Sequence, residues 1–185
     1  MTTHGTSAPR EILGEGKYYN LVREGMWEFI TPQCFSDVVM IVPLLDDGRI
    51  VLVEQFRPPL GRNCIEIPAG LVGDGQTRDG EAIIEAARRE LIEETGYDAV
   101  TLELVLRGAP SAGSNTLEVG FVLATGLAKV GPGGGLAHEG EDITVHEIPL
   151  DEVDEFLADR AKNGYSVDLK TYVGLYLARR HLGEF

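Results

Sequence analysis

The sequence predicts an α/β (α+β) fold, an α/β/α sandwich around a mixed sheet with a small antiparallel β unit ahead of it. Three observations carry this prediction. Apolar segments of strand length recur from residue 38 onward, one central stretch repeats its apolar residues at helical spacing, and two more helical repeats follow the last strand candidate. With 185 residues, 43% of them hydrophobic, the chain can bury one substantial core and a small appended unit. The expected division places the β unit in residues 1–37 and the main domain in residues 38–185.

The first residues are polar and expected to fray, and short alternating segments then surround Trp27-Glu28-Phe29-Ile30, the pattern of a small β unit. Val38-Val39-Met40-Ile41-Val42 is a continuous apolar run. Asp46-Asp47-Gly48-Arg49 is turn chemistry and Ile50-Val51-Leu52-Val53 resumes as strand, so the two runs are expected to form a hairpin in a buried sheet. In the central helix Ile84, Ala87 and Leu91 form an apolar stripe that Ile83 and Ala86 widen. Asp79 is the expected N-cap, Glu81 favours the dipole of the first turn, and Gly96 stands where a C-cap glycine would. Further strands are expected at residues 102–106, 117–124 and 143–148. Val153, Phe156 and Leu157 mark one late helix, and Leu169, Tyr172, Val173 and Tyr176 mark another with its cap at Ser166.

A formal net charge of −14 argues against a surface that coats nucleic acid, because phosphate backbones are bound by clustered Lys and Arg. No apolar run approaches the roughly 18 residues of a membrane span, and no basic-then-apolar leader opens the sequence. The expected location is cytoplasmic, with no membrane partner. Cys34 and Cys64 lack metal-pair spacing and are expected to be reduced and structural, and His138 and His146 have no spacing that suggests zinc.

The chemistry concentrates on the central helix. Glu90, Glu93 and Glu94 converge on one helical face, with Arg89 one turn from Glu93. Like charges at this spacing cost an isolated helix roughly 0.2–0.5 kcal/mol per pair, which leaves two readings: a solvated acidic face, or a site for a hard divalent cation such as Mg²⁺ or Mn²⁺. Downstream, Gly131-Pro132-Gly133-Gly134-Gly135 lacks the Lys-Ser or Lys-Thr ending of a phosphate cradle and reads as a flexible loop. It runs into His138-Glu139-Gly140-Glu141-Asp142, whose carboxylates could serve as a base.

The string Gly75-x5-Glu81-x7-Arg89-Glu90-Leu91-x-Glu93-Glu94-x-Gly96-Tyr97 resembles the signature of the Nudix hydrolase family, Tyr97 standing where the family usually has an aliphatic residue. Glu54-Gln55-Phe56-Arg57-Pro58-Pro59, Glu66-Ile67-Pro68-Ala69-Gly70 and Glu139-Gly140-Glu141-Asp142-Ile143 are similar to strings of its ADP-ribose and nucleoside-diphosphate-sugar pyrophosphatase branch. The resemblance implies metal-assisted attack of water on a diphosphate. It implies that Glu90, Glu94, Glu141 and the Ala69 carbonyl hold the metal, that Glu93 and Arg89 support it, and that Glu139 is the base. It also implies substrate contacts at Arg57, Glu66 and Trp27, and a homodimer that exchanges the N-terminal unit. For Arg57 the bland alternative is a surface arginine before a proline turn, and for Trp27 it is core packing. Two departures stand out: Gly70 and Gly75, usually one residue, are separate, and Ala112 stands where relatives often carry proline. The implied substrate is ADP-ribose or a related nucleoside diphosphate sugar. The alternatives are a pyrophosphatase for GDP-mannose or another nucleotide sugar or dinucleotide, or a sensor that binds a nucleotide sugar without cleaving it.

Overall fold

The computed structural model describes residues 8–73, 82–136 and 140–184. Gly75 and Glu81 of the signature, the expected N-cap Asp79, and His138 and Glu139 of the acidic string lie outside the described residues.

The expected N-terminal β unit is a three-stranded antiparallel sheet of β1 (Arg10–Glu15), β2 (Tyr19–Glu24) and β3 (Trp27–Pro32). It docks on its own chain: Ile30 N donates to Ser114 O (2.9 Å) and Thr116 N donates to Ile30 O (3.1 Å). Then follow β4 (Asp37–Pro43), β5 (Arg49–Arg57), β6 (Arg62–Glu66), β7 (Ala69–Val72), α1 (Ile83–Glu90), β8 (Tyr97–Gly108) and β9 (Val119–Lys129). The chain closes with β10 (Thr144–Pro149), α2 (Val153–Lys162), β11 (Ser166–Val167) and α3 (Leu169–His181).

The main domain holds two four-stranded mixed sheets rather than one, in the orders β10-β5-β6-β11 and β7-β4-β9-β8. The expected hairpin of β4 and β5 does not form. The two strands touch at one bridge, Leu44 to Ile50, and then enter different sheets. Both are central strands with both edges already paired, β4 by β7 and β9, β5 by β10 and β6, so neither has an edge left for the other. A continuous apolar run announces a strand buried on two faces without naming its neighbours.

Alternation along β4 and β5 sends side chains to opposite layers. Met40, Val42, Ile50 and Leu52 join the core under α2 and α3, with Leu157 and Leu175. Val39, Ile41 and Val51 join the core under α1, with Ala86, Ala87 and Leu91. The sandwich is therefore α1 on one side and α2 with α3 on the other. Tyr97 takes its aliphatic position by burying its ring in the second core while its hydroxyl donates to Glu147 Oε1 (2.5 Å). The cap of α3 is Asp168, whose carboxylate accepts from Lys170 N (2.8 Å), rather than Ser166, which pairs with Cys64 in the short parallel strand β11.

The α-helical part of the central helix is short. Residues Leu91–Thr95 continue it as a π turn, and Gly96 (φ 73°) closes it with its N–H on Ile92 O (2.9 Å). Residues 131–135, flexible by sequence, are tied to this end. Gly131 N and Val130 N donate to Gly96 O (3.1 and 2.8 Å), Gly134 N to Glu94 O (2.8 Å) and Gly135 N to Glu93 O (3.0 Å). The carbonyls a helix leaves unpaired at its C-terminus are satisfied by a distant loop. A Cβ on Gly96 would stand 2.3 Å from Gly131 O. Gly96→Ala is thus expected to destabilise the protein by more than about 1 kcal/mol, from positive φ plus this clash, as a lower urea midpoint at unchanged m-value.

Candidate active site

The signature side chains gather where α1, the π turn and the starts of β7 and β9 meet the ends of β5 and β6. Arg89 is the organiser: its Nη1 donates to Glu90 Oε1 (2.6 Å) and Glu93 Oε2 (3.3 Å), and its Nη2 to Leu71 O (3.1 Å) on β7. One guanidinium thus binds two carboxylates and pins the helix to a strand. Glu94 lies deeper, 2% exposed, with Oε2 accepting from Ala69 N (3.2 Å). Gly70 makes room for Glu90: a Cβ there would stand 1.9 Å from Glu90 Oε1.

Both carboxylates are strained electrostatically. Burial pushes Glu90, 8% exposed, up to about 7, with Arg89 opposing and Glu93 and Glu141 adding to the shift. Burial also raises Glu94 well above the usual carboxylate range, helped by Glu90 and Glu141 and opposed by Ala69 N–H and Arg57. The reading of an acidic face turned to water therefore fails for this pair.

Beside them opens a pocket of about 1520 Å³, whose lining includes Glu90, Glu93, Ala69, Gly70, Arg89 and Glu141 together with Arg57 and Glu66. Arg57 and Glu66 form a two-pronged pair, Nε to Oε1 (2.6 Å) and Nη2 to Oε2 (2.7 Å), in which Glu66 raises the Arg57 pKa. Arg57 is thus a held residue of the pocket wall and no stray surface arginine. Glu141 presents its Oε2 to Leu136 N–H (2.8 Å).

A model of the NUDIX domain matches residues 35–168. The chain belongs to the Nudix family. It is 33% identical over 144 residues to the methanol dehydrogenase activator of Bacillus methanolicus, covering 77% of this chain and 75% of that one. It is 33% identical over 133 residues to the ADP-ribose pyrophosphatase of Bacillus subtilis, covering 70% of this chain and 69% of that one. The crystal structure of an ADP compounds hydrolase shares the fold, with a TM-score of 0.77 at 21% identity over 97% of this chain and 94% of that one. Nudix hydrolases generally need a divalent metal.

The Nudix signature residues fit that requirement in chemistry. Their donors are carboxylate oxygens, as hard cations prefer, and two of them are buried at a cost that a cation would relieve. Among the described residues no three carboxylate, imidazole or thiolate side chains are already gathered around one ion-sized point. The structure does not bring Trp27 to this pocket within the chain. Trp27 is 61% exposed, which excludes core packing, and lines a separate pocket of about 300 Å³ with Glu24, Phe29, Ala112 and Asn115. Sequence reasoning missed Lys17, Tyr18, Ser111 and Lys170, which also line the carboxylate pocket. No motif marks them, because they arrive from three separate places in the chain, Lys17 and Tyr18 from the β1–β2 turn, Ser111 from the β8–β9 connection and Lys170 from α3. No helix among the described residues is long and apolar enough to cross a membrane.

The raised pKa of Glu90 has a definite sign in solution. The folded chain keeps that proton up to about pH 7 while a carboxyl in the unfolded chain loses it near 4.5, so in that window the folded state binds more protons and stability falls as pH rises. Glu90 alone contributes on the order of 3 kcal/mol to this loss in the metal-free protein. Urea unfolding in EDTA at pH 5 and pH 8 should show the loss in the wild type and a smaller one in Glu90→Gln. Equal slopes in the two proteins would contradict the burial argument.

Proposed function

We propose that the chain hydrolyses the diphosphate of ADP-ribose or a related nucleoside diphosphate sugar with a divalent cation, giving a nucleoside monophosphate and a sugar phosphate. One observation carries this reading: two buried carboxylates with raised pKa values sit one helical turn apart beside a pocket that the arginine Arg57 also lines. The activity of the Bacillus subtilis relative supports the substrate class.

In this proposal Glu90, Glu94, Glu141 and the Ala69 carbonyl hold Mg²⁺ or Mn²⁺. Bound there, such an ion supplies charge neutralisation for the diphosphate and acidifies water. Arg89 keeps Glu90 and Glu93 aimed into the pocket through the bonds described above. Arg57 binds a phosphate oxygen, and Glu66, by engaging two of its three nitrogens, fixes the plane of the guanidinium. Glu139 accepts the proton of the attacking water. The strongly exposed Met26, in the turn between β2 and β3, and Trp27, at the start of β3, favour a homodimer in which that end of the N-terminal sheet meets a second copy, where Trp27 would stack on the base of the partner's substrate.

Incubation with ADP-ribose, GDP-mannose, UDP-glucose and dinucleoside polyphosphates, each with Mg²⁺ and with Mn²⁺, is expected to release monophosphate fastest from ADP-ribose. Glu94→Gln keeps the fold, since a neutral side chain relieves the buried charge, yet is expected to lower kcat by at least about 10²-fold. Near-normal turnover in that variant, or binding of all four compounds without cleavage by the wild type, would sink the enzymatic reading.

A further inference from the structure

Residues 134–136 bond directly to the turn that carries Glu93 and Glu94 and to the Glu141 carboxylate. Gly135 is the junction. Its N–H donates to Glu93 O (3.0 Å), and the next N–H, that of Leu136, donates to Glu141 Oε2 (2.8 Å). A span of two residues therefore bonds both to the turn that carries Glu93 and Glu94 and to the carboxylate that arrives from the other side. Space there is tight: a Cβ on Gly135 would stand 2.7 Å from both Cβ and Oε2 of Glu141 and 3.0 Å from Ile143 Cδ1. Ile143 cannot give way easily, being buried and tied by its N–H to Gly134 O (3.1 Å). Any side chain at position 135 must therefore displace Glu141. The charge of Glu141 reaches Glu90 and Glu94, so its displacement alters the field at both.

We propose that Gly135 is a positioning residue for the hydrolytic site: its missing side chain sets where the Glu141 carboxylate stands relative to Glu90 and Glu94, and hence how tightly the three together hold a divalent cation. This rests on the metal reading given above. A competing explanation gives Gly135 only a backbone role, since its φ is +78°. Gly134 separates the two explanations. Its φ is +99°, yet a Cβ there meets nothing nearer than Ile143 O at 3.7 Å. The neighbours share the backbone demand, and only one crowds the carboxylate.

The test is direct Mn²⁺ binding, read as the loss of the free-ion electron paramagnetic resonance signal, on the full chain and on Gly134→Ala, Gly135→Ala, Glu141→Gln and Glu94→Gln. Urea midpoints are measured on the same samples. Gly135→Ala is expected to weaken Mn²⁺ binding about tenfold or more, close to Glu141→Gln, while Gly134→Ala stays within about twofold of the wild type at a similar loss of stability. If an alanine variant does not fold, Gly134→Asn and Gly135→Asn replace the pair, because asparagine tolerates left-handed backbone yet keeps the Cβ. Equal effects at 134 and 135, or wild-type binding in the position-135 variant, overturn the proposal. Wild-type binding in Glu141→Gln with weakened binding in Glu94→Gln removes Glu141 from the site and this inference with it, leaving the metal reading intact. Absence of Mn²⁺ binding by the wild type overturns the metal reading itself.

Discussion

Two carboxylates, Glu90 and Glu94, are buried one helical turn apart, and much of the surrounding structure answers to that constraint. Burying an ionised carboxylate without compensation costs several kcal/mol, and two that repel each other cost more. The fold supplies partial answers from several directions. Arg89 bonds Glu90 and reaches back to Leu71 O, Ala69 N–H bonds Glu94, and Arg57 lends its charge across the pocket. None of these neutralises the pair, as the raised pKa values record. The remaining deficit is electrostatic, and a cation is the species that would remove it.

Two glycines leave room for carboxylates of the site. Gly70 on β7 leaves the space that Glu90 occupies, and Gly135 leaves the space beside Glu141. Gly96 and Gly133 let two backbones approach so closely that a side chain on either would collide with main-chain atoms of the other. The π turn at Leu91–Thr95 belongs to the same arrangement. Its carbonyls at Glu93 and Glu94 receive N–H groups from Gly135 and Gly134, so the widest part of the helix is also the part held from outside. Local departures from regular helix at functional positions are sustained by such external bonds.

The division of labour across the pocket follows from the two-sheet architecture. The β7-β4-β9-β8 sheet carries α1 and its carboxylates, while the β10-β5-β6-β11 sheet brings Arg57 and Glu66 to the same pocket. The N-terminal sheet contributes Lys17 and Tyr18 to this pocket and directs Trp27 elsewhere. The aromatic residues that line the carboxylate pocket within one chain are therefore Tyr18 and Tyr19 of the N-terminal unit, and Trp27 lines a pocket of its own.

Local patterns made most secondary structure legible. The runs at Val38-Val42 and Ile50-Val53, the helical repeats at Ile84 to Leu91 and Leu169 to Tyr176, and Gly96 as a closing glycine all express short-range physics: side-chain alternation, helical periodicity and the freedom of glycine at positive φ. The carboxylates of the signature were legible for the same reason, because helical spacing alone puts Glu90 and Glu94 on one face. What the sequence could not express was partnership across distance. It did not reveal that β4 and β5 part into separate sheets, that Arg57 is clasped by Glu66, that Trp27 stands away from the pocket, or that residues 131–135 close the helix instead of swinging free. Each depends on which surfaces meet after the chain has collapsed, and that is decided by summed packing and hydrogen-bond completion over the whole molecule. Residue type and spacing determined the chemistry that is present. Only the tertiary structure decided its burial, and burial turns a row of acidic side chains into a site that favours a cation.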